Sequence, residues 1–168
     1  AASDVYKRQI DLCSDDEGPM SPERAGKLNG KSYVDLCYSG KYTKADMLKK
    51  LRGEGGISAL LGTHDCREIE ERIRNGDERA ALVYRAQALQ IAKGVGIMLG
   101  CFQELIDAVI LTGGLAYSKM LTDMVIGYLH NLARVVVIPG ENEMEALAQG
   151  GLRLLTGEES PRRYVLPE

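Results

Sequence analysis

Two short stretches late in this chain have the residue types that hold phosphate. Thr112-Gly113-Gly114-Leu115-Ala116-Tyr117-Ser118 and Pro139-Gly140-Glu141-Asn142-Glu143 each follow an apolar, β-branched run and precede a helical pattern. In an open α/β sheet, ligands sit beyond the carboxyl ends of strands. Glycine there lets backbone approach closely, and helix N-termini attract anions. A strand, two glycines and a helix start therefore suit a nucleotide. A bare Gly-Gly is also what a tight turn at positive φ requires, and on residue types alone the turn is favoured. The stretch is not a Walker loop, since no Gly-Lys-Ser/Thr follows, and it lacks GxGxxG spacing.

Glu141, Glu143 and Glu145 crowd one helix start. A carboxylate there complements the helix dipole, worth roughly 0.3–1 kcal/mol when exposed. Three exceed what a cap needs, and one at a strand end could hold Mg2+ near phosphates. Composition alone favours the cap. Ser21-Pro22-Glu23-Arg24-Ala25-Gly26 offers an arginine whose planar fork suits a carboxylate or a transferring phosphoryl group. An exposed arginine in a turn is the blander alternative, and the favoured one.

The elements that must position these residues are legible from period and punctuation. Residues 1–9 have neither period nor turn logic and read as a non-native leader. Residues 10–42 read as loop with short elements. Thr43 with Asp46 predicts a helix carrying Met47, Leu48 and Leu51, stopped by Gly53. One helical turn is predicted over 57–61 and a charged helix over about 64–75. Asp77 then caps the longest helix, 78–100, with Leu82, Val83, Ala86, Leu89, Gln90, Lys93, Ile97 and Met98 as its apolar stripe.

The last third alternates strand 107–112, a helix from Ser118 to about Leu132, strand 134–138 and a helix capped by Asn142 with Glu145. Leu121, Val125, Tyr128 and Leu129 share one face of the first of these helices. The run Arg134 to Ile138 is continuously apolar, as in a strand buried on both faces. This order implies a βαβ unit with parallel strands and a right-handed crossover. The domain spans 10–159, and 160–168 reads as a tail.

Composition narrows the function. With 45% hydrophobic and 27% charged residues and a net charge of −3, the chain has globular composition without the basic footprint of nucleic-acid binding. No apolar stretch approaches a membrane span, and no export signal opens it, so a cytoplasmic location is expected. Cys13, Cys37, Cys66 and Cys101 form no CxxC pair, and His64 and His130 stand at no ligand spacing. Reduced thiols are expected rather than zinc or disulfides. The 19 glycines include the pairs 55–56, 113–114 and 150–151.

Four segments together resemble the butyrate kinase family, in the acetate kinase branch of the actin-like ATPases. They are DEGPMSPERAG at 16–26, SGKYTKADMLKKLRGEGG at 39–56, ILTGGLAYSKMLTD at 110–123 and VVVIPGENEMEALAQGGLRLLTGEE at 135–159. The resemblance implies an α/β fold, the ribonuclease H-like C-terminal lobe of an actin-like ATPase with inserted helices. It implies reversible phosphoryl transfer between ATP and a short-chain carboxylate, giving acyl phosphate and ADP with Mg2+. Gly113, Gly114, Ala116 and Ser118 would belong to the nucleotide motif. Glu143 would lie near metal and phosphates, and Arg24 would stabilise the transferring phosphoryl group. The family also implies a homodimer.

Asp16-Glu17-Gly18-Pro19 departs from the family's Gly-Glu-Gly-Pro, and Lys27-Leu28-Asn29-Gly30 is likewise unusual. The family's Asn-Pro-Gly-Ser-Thr-Ser phosphate loop and its second glycine-rich loop with a nearby His are not among these residues. The resemblance therefore implies a C-terminal part of such an enzyme, inactive alone. The alternatives are a non-catalytic nucleotide-binding or dimerisation module and, further off, a sugar-kinase or chaperone-like ATPase lobe.

Overall fold

The structure is a computed structural model that describes residues 10–14, 17–141 and 143–160. The leader reading of 1–9, the Asn142 cap, the side chain of Glu143 and most of the tail lie outside the described residues. Seven α-helices and two short strands are described. They begin with α1 (Gly30–Cys37), α2 (Lys44–Leu51), α3 (Gly56–Leu61), α4 (Cys66–Arg74) and α5 (Glu78–Leu99). After β1 (Val109–Leu111) and a 3-10 turn at Gly114–Tyr117 come α6 (Lys119–Leu129), β2 (Val135–Val137) and α7 (Glu143–Leu155).

Local chemistry explains most boundaries. Thr43 and Asp46 close a reciprocal capping box at the head of α2, as expected. Gly62 takes a left-handed φ of 76° and ends α3. Asp77 accepts the Ala80 amide at 2.9 Å and starts α5. Its other oxygen takes the Arg72 Nε at 2.9 Å. The same guanidinium reaches the Leu61 carbonyl at 3.0 Å, so α3, α4 and α5 meet on one side chain. Helix α1 was not foreseen. Asn29 caps it by accepting the Ser32 amide, and it buries none of its residues, so its pattern carried no core signal.

The core lies where α5 packs against α4 and α6, with Ile57, Ile69, Tyr84, Val125 and Leu129 essentially inaccessible. Leu121, Val125 and Leu129 face it as expected, while Tyr128 is exposed. Helix α5 corrects the sequence reading. Its buried face is Ala80, Val83, Tyr84, Gln87, Ala88 and Ala92, whereas Leu82, Leu89 and Ile97 of the expected stripe are 61%, 43% and 55% exposed. Alanines let the neighbouring helices approach closely, and large side chains do not.

β1 and β2 pair in parallel, Val109 opposite Val135 and Leu111 opposite Val137, with α6 as the crossover. β2 is only half-buried along its length, not enclosed on both faces. Before the sheet, residues 18–26 and 51–58 are knotted by backbone hydrogen bonds. Ala25 donates to Leu51 at 2.9 Å, Gly53 to Glu23 at 2.8 Å, and Ser58 to Pro22 at 2.8 Å.

Candidate nucleotide site

The two glycine turns come together at the carboxyl end of the sheet. Gly113 and Gly140 exchange backbone hydrogen bonds, at 3.2 Å one way and 3.1 Å the other. Thr112 Oγ1 adds a third, donated to the Gly140 carbonyl at 3.1 Å. Gly113 holds φ 85° and ψ −178°, a region essentially open to glycine alone. Gly140 takes φ 94°, and a Cβ there would sit 2.8 Å from the Tyr117 hydroxyl.

The glycines of the pair have different duties. Gly113 supplies the backbone conformation. Gly114 has no positive φ, and nothing lies within 4 Å of where its Cβ would point. Gly113 is the one facing a charge, because a Cβ on it would lie 3.6 Å from Glu141 Oε1. The expectation that positive φ explains Gly114 is therefore corrected: its hydrogen side chain leaves open space.

Ala116 is buried within the 3-10 turn, where its amide donates to the Gly113 carbonyl at 3.1 Å. The hydroxyl of Ser118 serves the fold. It caps α6 by accepting the Leu121 amide at 3.0 Å, donates to Glu70 Oε1 on α4, and lies 3.0 Å from the Tyr84 hydroxyl on α5. Tyr84 also reaches Glu70 Oε1 at 3.2 Å, and Arg74 pairs with the other Glu70 oxygen at 2.9 Å. Burial above all pushes the Tyr84 phenol well above its ordinary pKa, so it remains a donor. Burial likewise raises the neighbouring Cys66 thiol. Sequence reading missed Glu70 and Tyr84; the only local signal is an acid with Arg74 at i+4.

Arg24 lies elsewhere. It forms an antiparallel bridge with Arg52, and both line a hollow of about 380 Å³ with Ser21, Glu23 and Gly53. That hollow shares no lining residue with the glycine turns. An apolar hollow of about 700 Å³, lined by Ile91, Val95, Met98, Phe102 and Val109, sits at the amino end of β1, away from the turns.

Glu143 is the first residue of α7, so the acidic helix start does lie at the strand ends. Glu145 accepts from Gln149 Nε2 at 3.2 Å, one turn along α7. Among the described residues no three His, Cys, Asp or Glu side chains gather to hold a metal. Mg2+ commonly needs only one or two carboxylates when phosphates and water complete its shell, and the Glu141 carboxylate beside Gly113 is of that kind. Among the described residues no helix is long and apolar enough to cross a membrane.

The profile of the family described as "Acetokinase family" matches residues 17–163. Among solved structures, an acetate kinase from Porphyromonas gingivalis superposes with a TM-score of 0.72 at 21% identity, covering 82% of this chain and 41% of that one. A propionate kinase from Francisella tularensis subsp. tularensis SCHU S4 gives 0.68 at 19% identity, covering 76% and 39%. An acetate kinase from Entamoeba histolytica gives 0.71 at 15% identity, covering 83% and 44%. The chain thus spans less than half of each of these relatives' lengths. The shared architecture is the α/β actin-like ATPase fold expected from the sequence.

Proposed function

This chain belongs to the acetokinase family, and from that membership we propose that it carries the nucleotide side of a cytoplasmic carboxylate kinase. In this reading ATP phosphorylates butyrate reversibly, giving butyryl phosphate and ADP. The observation that carries it is the joined pair of glycine turns at the strand ends, with open space beside Gly114. Butyrate rests on the four butyrate kinase-like segments, Arg24 and the acidic head of α7 included. The sister acids differ by one or two methylenes, worth only about 1–3 kcal/mol in discrimination.

Phosphoryl transfer needs positioning and charge neutralisation more than covalent catalysis. Bound Mg2+ would supply neutralisation at the phosphates. Gly113, Gly114 and Ala116 would present backbone to the nucleotide, and Ser118 would hold α6 in place behind them. Glu141 and Glu143 would hold the metal. Arg24 would meet the transferring group, with Arg52 in the same hollow.

A titration with Mg·ADP tests this. Gly114→Val is expected to weaken ADP binding at least about tenfold, about 1.4 kcal/mol, with its melting temperature nearly unchanged because a Cβ at this position meets no protein atom within 4 Å. Wild-type affinity in that variant, or no ADP binding by the wild type, overturns the site.

A non-catalytic nucleotide-binding or dimerisation module is the second reading, favoured by the placing of Arg24 in a hollow that shares no lining residue with the glycine turns. Self-association belongs to both. Leu82 and Leu89 stand 61% and 43% exposed on α5, an apolar stripe of the kind that marks interfaces. Light scattering is expected to give twice the 18.4 kDa chain mass. Leu82→Glu with Leu89→Glu is expected to return monomer. A monomeric wild type rejects this interface.

A further inference from the structure

Glu70 stands outside every motif named above, yet its carboxylate meets the residue that ends the glycine turn. It is only 13% exposed at the side chain, and Ser118, its partner, lies 48 residues away in sequence. Ser118 Oγ gives its one proton to Glu70 and accepts the Leu121 amide, while the single Tyr84 hydroxyl proton lies between Ser118 Oγ and Glu70 Oε1. Removing the carboxylate takes away, in a part-buried setting, the acceptor that the Ser118 and Tyr84 hydroxyls share, whereas an uncharged acceptor of the same shape would keep it.

We propose that Glu70 is a positioning residue for nucleotide: through Ser118 and Tyr84 it fixes the start of α6, and so the Gly113–Tyr117 turn, against α4 and α5. This rests on the nucleotide reading of that turn. Within the turn the bonds are short-range, from Ala116 to Gly113 and from Ser118 to Leu115, and its one distant backbone tie runs from Gly113 to Gly140 at the end of the sheet. Nothing in them sets its orientation to the helical layer. The Glu70 cluster is the polar side-chain link that does so, beside the packing of Leu115 and Leu121 on the core, and it acts on the nucleotide through orientation, touching no ligand itself.

The experiment combines amide hydrogen exchange and Mg·ADP titration on this chain, for wild type, Glu70→Ala and Glu70→Gln. Loss of a buried hydrogen-bond partner is worth about tenfold or more in a local equilibrium. Glu70→Ala is therefore expected to speed exchange at the Ala116, Ser118 and Leu121 amides about tenfold and to weaken ADP to a similar degree. Exchange at Ala88 and Ala92 in mid-α5 should stay near wild type. Glu70→Gln keeps an acceptor oxygen and is expected to restore both readouts to within about threefold. Equal acceleration in α5 makes Glu70 a mere stabiliser and overturns the inference. So does ADP binding indifferent to Glu70→Ala, or a Gln variant as impaired as Ala. A wild type that binds no ADP overturns the nucleotide reading and the functional half of this inference with it, while Gly114→Val separately reports on the reading alone.

Discussion

If the proposed reading holds, Glu143→Gln in the full-length protein is expected to lower kcat for butyrate phosphorylation at least about a hundredfold, about 2.7 kcal/mol of transition-state stabilisation. Glu143 opens α7 immediately beyond the Gly113–Gly140 junction, where the proposed phosphates and Mg2+ gather. Gln is nearly isosteric, so the change removes one negative charge and little shape. If the carboxylate only complements the dipole of α7, its loss should cost under about 1 kcal/mol of stability and leave turnover alone. Glu145 supplies the internal control. Its carboxylate is engaged with Gln149 along the helix, and Glu145→Gln is expected to keep kcat near wild type. Rates at saturating Mg2+ decide the matter; near-normal turnover in Glu143→Gln makes that residue a cap.

The second large effect concerns stability. Gly56→Ala is expected to destabilise the chain by about 3 kcal/mol or more in urea unfolding. Left-handed backbone, here φ 61°, costs an alanine roughly 1–2 kcal/mol. The new methyl would also overlap the carbonyl oxygens of Ser21 and Arg24. Neither oxygen is at liberty to retreat, since the first accepts from Ile57 and the second from Ser21. Such overpacking typically adds 1–3 kcal/mol. Gly62→Ala is the comparison, because it shares a positive φ of 76° but points into open space; about 1 kcal/mol is expected there. Equal losses at the two sites would mean that residues 18–26 and 51–58 are not knotted as described. The knot matters for chemistry because Arg24 sits in it.

What was legible in the sequence had local causes. Thr43 with Asp46, Asp77 and Ser118 announced helix starts because each cap needs only its own next turn. The two strands and their parallel pairing followed from β-branched runs on either side of a helix. The face of α5 was misread because hydrophobicity weights Leu82 and Leu89 over Ala80, Ala88 and Ala92. Close approach between helices selects for smallness, and the partner helices are invisible to a window along one helix. Periodicity could not tell Gly113 from Gly114 either, since φ is set by the Gly140 bridge 27 residues on, counted from 113 to 140. Glu70 left no trace for the same reason: its meaning lies in a residue 48 positions away.

The exchange of hydrogen bonds between Gly113 and Gly140 has a thermodynamic consequence. Two flexible turns, each free to fluctuate, would have to be ordered separately when a ligand docks, at roughly 1–2 kcal/mol for every residue fixed. Tied through both backbone groups, and again through Thr112 Oγ1, they fluctuate as one body. Much of the ordering entropy that binding would otherwise consume has already been surrendered during folding. Such a junction can hold a ligand with few direct contacts, because little of their energy is diverted to quieting the protein.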